Sequence, residues 1–176
     1  MTTNSFGTNE TDMHYLQLLS QSFPTIADAS TEIINLEAIM ALPKGTEHFL
    51  ADLHGESEAF QHVLKNASGN IKRKVNELFG NDIRESEKKE LCTLIYYPEQ
   101  KLELIKAQEQ DLDDWYRITI HQLVKVCRDV SSKYTRSKVR KSLPQDFSYI
   151  IEELLHESAS DSDKAAYVSV IVNTII

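Results

Sequence analysis

HFLADLHGESEAFQHVL, residues 48–64, is the stretch whose reading decides the fold. Phe49, Leu50 and Ala51 form a short apolar run of the kind that a strand buried on both faces requires, and the run stops at Asp52, Leu53 and His54. Gly55 follows at once and can take backbone angles that other residues avoid. From Glu56 the apolar positions switch to helical spacing, with Ala59, Phe60, Val63, Leu64 and Ala67 on one face. The segment therefore reads as strand, tight turn, helix.

Side chains two apart on a strand point to the same side, so this reading sends Asp52 and His54 towards one point at the strand's carboxyl end. A carboxylate oxygen and an imidazole nitrogen together suit manganese, iron or zinc, and the carboxyl ends of strands are where open α/β sheets place their ligands. Chance sets the weight of the motif. Eleven aspartates and six histidines in 176 residues predict about 0.4 accidental matches to Asp-x-His, and requiring the glycine lowers this to about 0.01. The competing reading of the same residues is a polar cap at a strand end.

Composition narrows the function classes. The chain is 41% hydrophobic and 26% charged, enough to bury a real core as one domain or as one piece of a larger one. Its net charge of -8 argues against nucleic acid as a partner, because a phosphate backbone needs a basic face. Cys92 and Cys127 lie far apart, each inside an apolar helical pattern, and are expected to be buried thiols in a reducing compartment. No apolar run reaches the roughly 18 residues of a membrane span, and the polar start resembles no signal peptide, so the expected location is the cytoplasm, away from membranes.

Outward from the central stretch the chain reads as helix. Residues 1–10 are expected to be a disordered lead. A helix follows over about 11–23, with Tyr15, Leu18, Leu19 and Ser22 on its buried face, His14 facing solvent and Pro24 ending it. The next carries Ile26, Ala29, Ile33, Leu36 and Met40 as a core face. Downstream, Ile71, Val75, Leu78 and Phe79 mark a helix that Gly80 and Asn81 end, and residues 85–97 form another through Leu91, Leu94 and Ile95. Pro98 suits the first turn of a helix using Leu102 and Ile105. Asp111, Asp113 and Asp114 read as the capped, acid-enriched start of the longest helix. Trp115, Ile118, Gln122, Val126 and Val130 form its stripe, with Leu123 and Cys127 beside it. Phe147, Ile150, Ile151, Leu154 and Leu155 mark a further amphipathic helix, and the acidic turn 161–163 starts the last.

Other chemistry-bearing residues carry plainer readings. His62 reads as a helical surface residue, and His121 as a hydrogen-bonded, partly buried one. Lys72, Arg73 and Lys74 could receive a sugar phosphate, but adjacent residues fan round a helix and a solvated face is the reading taken. The densest positive stretch, 133–141, reads as a surface helix or loop, with recruitment of an acidic or phosphorylated ligand as its functional alternative.

The chain closes on Val168, Val170, Ile171, Val172, Ile175 and Ile176, increasingly apolar and without a polar cap, and it lacks any later cluster of aspartate, asparagine and histidine to complete a metal site. It reads as cut. Residues 30–80, STEIINLEAIMALPKGTEHFLADLHGESEAFQHVLKNASGNIKRKVNELFG, resemble the amino-terminal part of class III fructose-1,6-bisphosphatases, and LCTLIYYPEQKLELIK, residues 91–106, continues the likeness. The resemblance implies membership of the calcineurin-like metallophosphoesterases, whose first signature, Asp-x-His at the end of the first core strand, falls on Asp52 and His54.

What the resemblance implies is a manganese-dependent hydrolase, with two metals in the complete enzyme, converting fructose 1,6-bisphosphate to fructose 6-phosphate in gluconeogenesis. Asp52 and His54 would be metal ligands; the general acid and the other ligands would come from later motifs, so no catalytic residue is expected in this chain, which alone is expected to be inactive. The implied fold is the start of an α/β metallophosphoesterase sandwich, mostly α-helical here with about one core strand. The organisation expected is a lead over 1–10, helices with the first core strand and its helix over 11–68, and a helical segment over 69–176 cut before the second motif. A non-catalytic helical interaction module, or a degenerate truncated phosphatase, is the alternative. The bare strand edge and apolar end predict association, including homo-oligomers.

Overall fold

The computed structural model describes residues 10–45, 47–156 and 162–176. Two compact units emerge, Met1–Pro43 and Lys44–Ile176. The expected lead, apart from Glu10, and the acidic residue Asp161 lie outside the described residues. The described residues are mostly helical.

The first unit holds α1 (Glu10–Ser22) and α2 (Ile26–Met40), separated at Pro24. Thr25 starts α2 with a reciprocal cap. Its hydroxyl accepts the Asp28 N–H at 3.1 Å, and the Asp28 carboxylate accepts the Thr25 N–H at 3.2 Å. His14 is exposed, as expected. The core face expected of α2 is not enclosed: Ile26, Ile33, Leu36 and Met40 are all exposed, and the helix has no buried residue. Tyr15, Leu18 and Leu19 of α1 are exposed as well. Periodicity identifies the face that seeks cover, whereas burial needs surface to supply it, and a two-helix unit has too little.

The second unit comprises α3 (Ser57–Lys65), α4 (Asn70–Phe79), α5 (Glu85–Tyr96), α6 (Pro98–Gln108), α7 (Leu112–Ser131), α8 (Arg136–Ser142), a 3₁₀ turn (Gln145–Phe147), α9 (Ser148–His156) and α10 (Ser162–Ile175). Its boundaries follow local chemistry. Gly80 ends α4 with φ of 45°, Pro98 opens α6, and the Asp111 carboxylate accepts the Asp114 N–H at 3.0 Å to start α7.

Helix α7 organises the packing because it serves two cores. Val75 and Phe79 of α4, Leu91 and Cys92 of α5, and Val126 of α7 form one buried cluster, with Leu123 packed against it. Leu154 of α9 and Val168 and Val172 of α10 form another, against Ile120 and Val124 of α7. The stripe expected on α7 is met in part: Val126 is buried and Trp115 and Gln122 are half-buried, but Ile118 and Val130 are exposed, and Thr119, outside the stripe, is buried. Cys127 corrects a further expectation. It is exposed, because it sits about 100° round the helix from Val126, and only Cys92 is a buried thiol. His121 is also exposed rather than partly buried, its Nδ1 lying 2.7 Å from the Arg117 carbonyl one turn back on its own helix.

The expected core strand is not formed. Residues 47–53 carry no regular structure, and no strand occurs among the described residues. Phe49 is 92% exposed, and Leu50 and Leu53 are exposed too. A strand is stable only when its backbone N–H and C=O groups find a ladder, and the described residues offer this run none.

Candidate metal centre

Asp52 and His54 come together, but on a turn rather than on a strand. His54 adopts φ of 47° and Gly55 φ of 78°, two left-handed residues in succession. The turn closes as Glu56 N–H donates to the Leu53 carbonyl at 2.9 Å, and α3 begins at Ser57. Glycine takes such a conformation freely, whereas for histidine it costs roughly 1 kcal/mol or more. That strained residue is the one bearing the imidazole.

The local bonds aim both side chains at a common point. The His54 N–H lies 3.4 Å from Asp52 Oδ1, and His54 Nε2 lies 3.5 Å from Asp52 Oδ2. Both side chains are open to water, at 82% for His54 and 78% for Asp52. Donor bonds of about 2.1 Å to one ion place two ligand atoms roughly 3.0 Å apart at a right angle and roughly 3.5 Å apart at a tetrahedral one. The observed spacing therefore fits a shared ion, and an oxygen with an imidazole nitrogen is a donor pair that manganese, iron and zinc all accept. Among the described residues no group of three or more histidine, cysteine, aspartate or glutamate side chains is gathered to hold a metal.

Of the three adjacent cations read as a solvated face, Lys72 and Arg73 are exposed as expected and Lys74 is half-buried. Lys72 turns towards α5, where it lines a hollow with Cys92 and Tyr96. Arg73 and Lys74 line a different cavity of about 350 Å³, which His48 of the motif loop also lines, together with Asp129, Lys133 and Tyr134. Arg73 is fixed by Glu77 at 2.7 Å and Asn70 at 2.9 Å, and Lys74 by Asp129 at 3.0 Å. The hydrogen bond to Asp129 raises the Lys74 pKa above its usual value, so the amine stays charged at neutral pH. Only the fanning of three consecutive basic residues could have signalled this division, and it does not say which neighbour each one meets.

His62 stays on the surface of α3 but is not idle. Its Nδ1 lies 2.6 Å from the Tyr97 hydroxyl, its ring stacks on Tyr97 at 5.9 Å, and Lys65 Nζ sits 4.6 Å from the same tyrosine ring. These contacts tie the helix after the Asp-x-His turn to the junction of α5 and α6. The basic stretch 133–141 lies largely on α8, where Arg140 grips Glu152 of α9 through two bonds of 2.7 and 2.9 Å.

With the geometry of the pair in place, comparison with known proteins gives the family of the chain. A family model described as Firmicute fructose-1,6-bisphosphatase matches residues 14–176, so the chain belongs to that family. It is 78% identical over 169 residues to the class 3 fructose-1,6-bisphosphatase of Phocaeicola vulgatus, covering 96% of this chain and 25% of that protein. The class 3 enzyme of Bacteroides thetaiotaomicron is 76% identical over 165 residues, covering 94% of this chain and 25% of its own length. One from Clostridium beijerinckii is 62% identical over all 176 residues, 26% of its length. The chain thus spans about a quarter of the length of the curated relatives it matches. No solved structure matches it.

Proposed function

We propose that this chain is the amino-terminal portion of a manganese-dependent fructose-1,6-bisphosphatase, which releases phosphate from fructose 1,6-bisphosphate to give fructose 6-phosphate in gluconeogenesis. The observation that carries the proposal is the convergence of Asp52 and His54 at 3.5 Å on a strained, water-exposed turn of a chain in this family. Asp52 offers an anionic oxygen and His54 a neutral nitrogen to one ion, while the backbone bond from His54 to Asp52 holds the carboxylate facing the imidazole. A bound metal pair supplies neutralisation of the phosphate oxygens and a water acidified enough to be deprotonated near pH 7. The exposed run 47–53 becomes the first core strand of a metallophosphoesterase sandwich once further polypeptide provides its ladder, which also covers Phe49. Two free cysteines suit a reducing, cytoplasmic setting, and no helix among the described residues is long and apolar enough to cross a membrane.

Phosphate release by the product of the uncut reading frame tests this. Manganese-dependent hydrolysis that Asp52→Asn lowers by about a hundredfold or more is the expected result. Hydrolysis unchanged by that substitution would overturn it. The 176-residue chain alone is predicted to be inactive, because a catalytic ion is typically held by three or more protein donors and this turn provides two. Phosphate release by the short chain above a metal-free control, abolished by Asp52→Asn, would contradict that. A non-catalytic helical interaction module would draw on the exposed apolar face of α2 instead, and it predicts no hydrolysis from the uncut product either.

A further inference from the structure

Helix α2 leaves a complete packing seam exposed. Ile26, Ile33 and Met40 recur every seven residues, and Ala29 and Leu36 each follow an isoleucine by three. This alternation of three and four is the heptad spacing by which one helix packs along another. The helix beneath the seam is formed and capped over about four turns, yet Ile26, Ile33, Leu36 and Met40 are all exposed.

The charges beside the seam have one sign. Glu32 and Glu37 occupy the two flanking positions that a partner helix faces, and α2 contains no lysine, arginine or histidine. Asp28 is engaged by the Thr25 cap at 2.7 Å, and Glu32 lies 3.5 Å from the Asn35 amide; no cation pairs with either glutamate among the described residues. Glu37 also stands in the last turn, where the negative end of the helix dipole disfavours a carboxylate. An apolar seam bordered by negative charge alone is complementary to an apolar stripe bordered by lysine and arginine.

A second copy does not answer that description. In a parallel pair Glu32 of each α2 faces Glu37 of the other, and any pairing of α2 with itself sets carboxylates alone across the seam. The basic helices of a second copy fit no better: α8 has seven residues with Val139 as its sole aliphatic one, and α4 commits Val75 and Phe79 to its own core. The chain spans about a quarter of the length of its relatives, and the other three quarters of such a protein can supply the occupant.

We propose that the seam of α2 is the docking site of an amphipathic helix that lies beyond residue 176 of the complete protein and carries lysine or arginine on both sides of its apolar stripe. This rests on reading the chain as the amino-terminal portion of a longer enzyme.

Amide hydrogen exchange over residues 26–40, compared between the 176-residue chain and the product of the uncut reading frame, tests the seam. Exchange about tenfold or more slower in the uncut protein is expected, because docking adds its own opening step to that of the helix. The double variant Glu32→Lys/Glu37→Lys should return that rate to within about threefold of the short chain. Thr31→Lys, half a turn round the helix from the seam, should leave the protection in place. Circular dichroism checks that both variants keep their helices. Equal exchange in the two lengths of chain overturns the proposal. Protection that survives the double charge reversal overturns it too, because the cover is then apolar without basic flanks. Protection already present in the short chain, and growing with its concentration, assigns the seam to a second copy instead. Phosphate release from the same uncut preparation keeps the two readings apart. Protection without hydrolysis leaves the docking in place and sinks the bisphosphatase reading, and hydrolysis without protection does the opposite.

Discussion

Truncating Val75 of α4 to alanine should cost the second unit about 3 kcal/mol, while truncating Ile34 of α2 should cost almost nothing, although both are aliphatic residues inside a helix. Val75 is completely enclosed, packed with Phe79, Leu91, Cys92 and Val126. Removing its two methyl groups forfeits about 0.8 kcal/mol each in transfer free energy. The void they leave, roughly 50 Å³, adds about 1.2 kcal/mol at about 24 cal/mol per Å³. Ile34 is 67% exposed on α2 and has little burial to lose, and the higher helix propensity of alanine offsets part of even that. Its cost is set below about 0.5 kcal/mol. Urea unfolding provides the assay. Trp115, the single tryptophan, lies on α7 and reports on the second unit; its fluorescence midpoint should fall by about 1.5 M in Val75→Ala at a slope near 2 kcal/mol/M. Far-UV circular dichroism should show the Ile34→Ala transition superimposed on that of the parent. A Val75→Ala loss below about 0.5 kcal/mol, or an Ile34→Ala loss as large as that of Val75→Ala, would refute the placement of the cores.

Two further perturbations probe the contacts that join helices. Arg128 donates to the Leu154 carbonyl at 2.6 and 3.1 Å, joining α7 to the end of α9, so Arg128→Gln should lower stability by about 1.5–2 kcal/mol in the same urea assay; an unchanged midpoint would dismiss the bond. The hydrogen bond from Arg140 holds the Glu152 carboxyl below the usual glutamate value of 4.5. A depressed carboxylate contributes stability above its unfolded pKa and loses it as the pH falls through the folded one. Acidification below about pH 4.5 should therefore loosen the α8–α9 contact, and amide exchange of α8 should lose that step in Glu152→Gln. Exchange equally steep in the variant would count against it.

Helix ends were legible because each is decided by one or two residues: Pro24 between α1 and α2, Asp111 at the head of α7, Pro98 in the first turn of α6, Gly80 after α4. Enclosure was less legible. Both α2 and α4 show apolar residues at helical spacing, yet only α4 meets neighbours that close over it, and periodicity contains nothing about neighbours. The stripe on α7 failed differently. A helix that serves two cores buries two adjacent faces, so of the single face drawn through Trp115, Ile118, Gln122, Val126 and Val130 only Val126 is buried in a core, while Ile118 and Val130 are exposed. The apolar run at residues 49–51 reads as strand because a strand's side chains are local while its hydrogen bonds are not.

At the candidate site the spacing of Asp52 and His54 correctly anticipated that they converge, although the left-handed turn at His54 and Gly55, rather than strand alternation, brings this about. Arg73 and the stretch that holds Lys133 were each weighed in sequence, but that both line one cavity with His48 was beyond reach. Sequence separations of 25 and 60 residues meet in one cavity only through the packing of α4 against α7.

Manganese titrated into the 176-residue chain, with paramagnetic broadening followed residue by residue, tests the metal pair most directly. Broadening should begin at residues 52–55 at low metal and should disappear from them in both Asp52→Asn and His54→Ala, with the cores around Val75 and Val172 untouched. Broadening centred elsewhere, or unchanged by both substitutions, would contradict a shared ion between these two side chains.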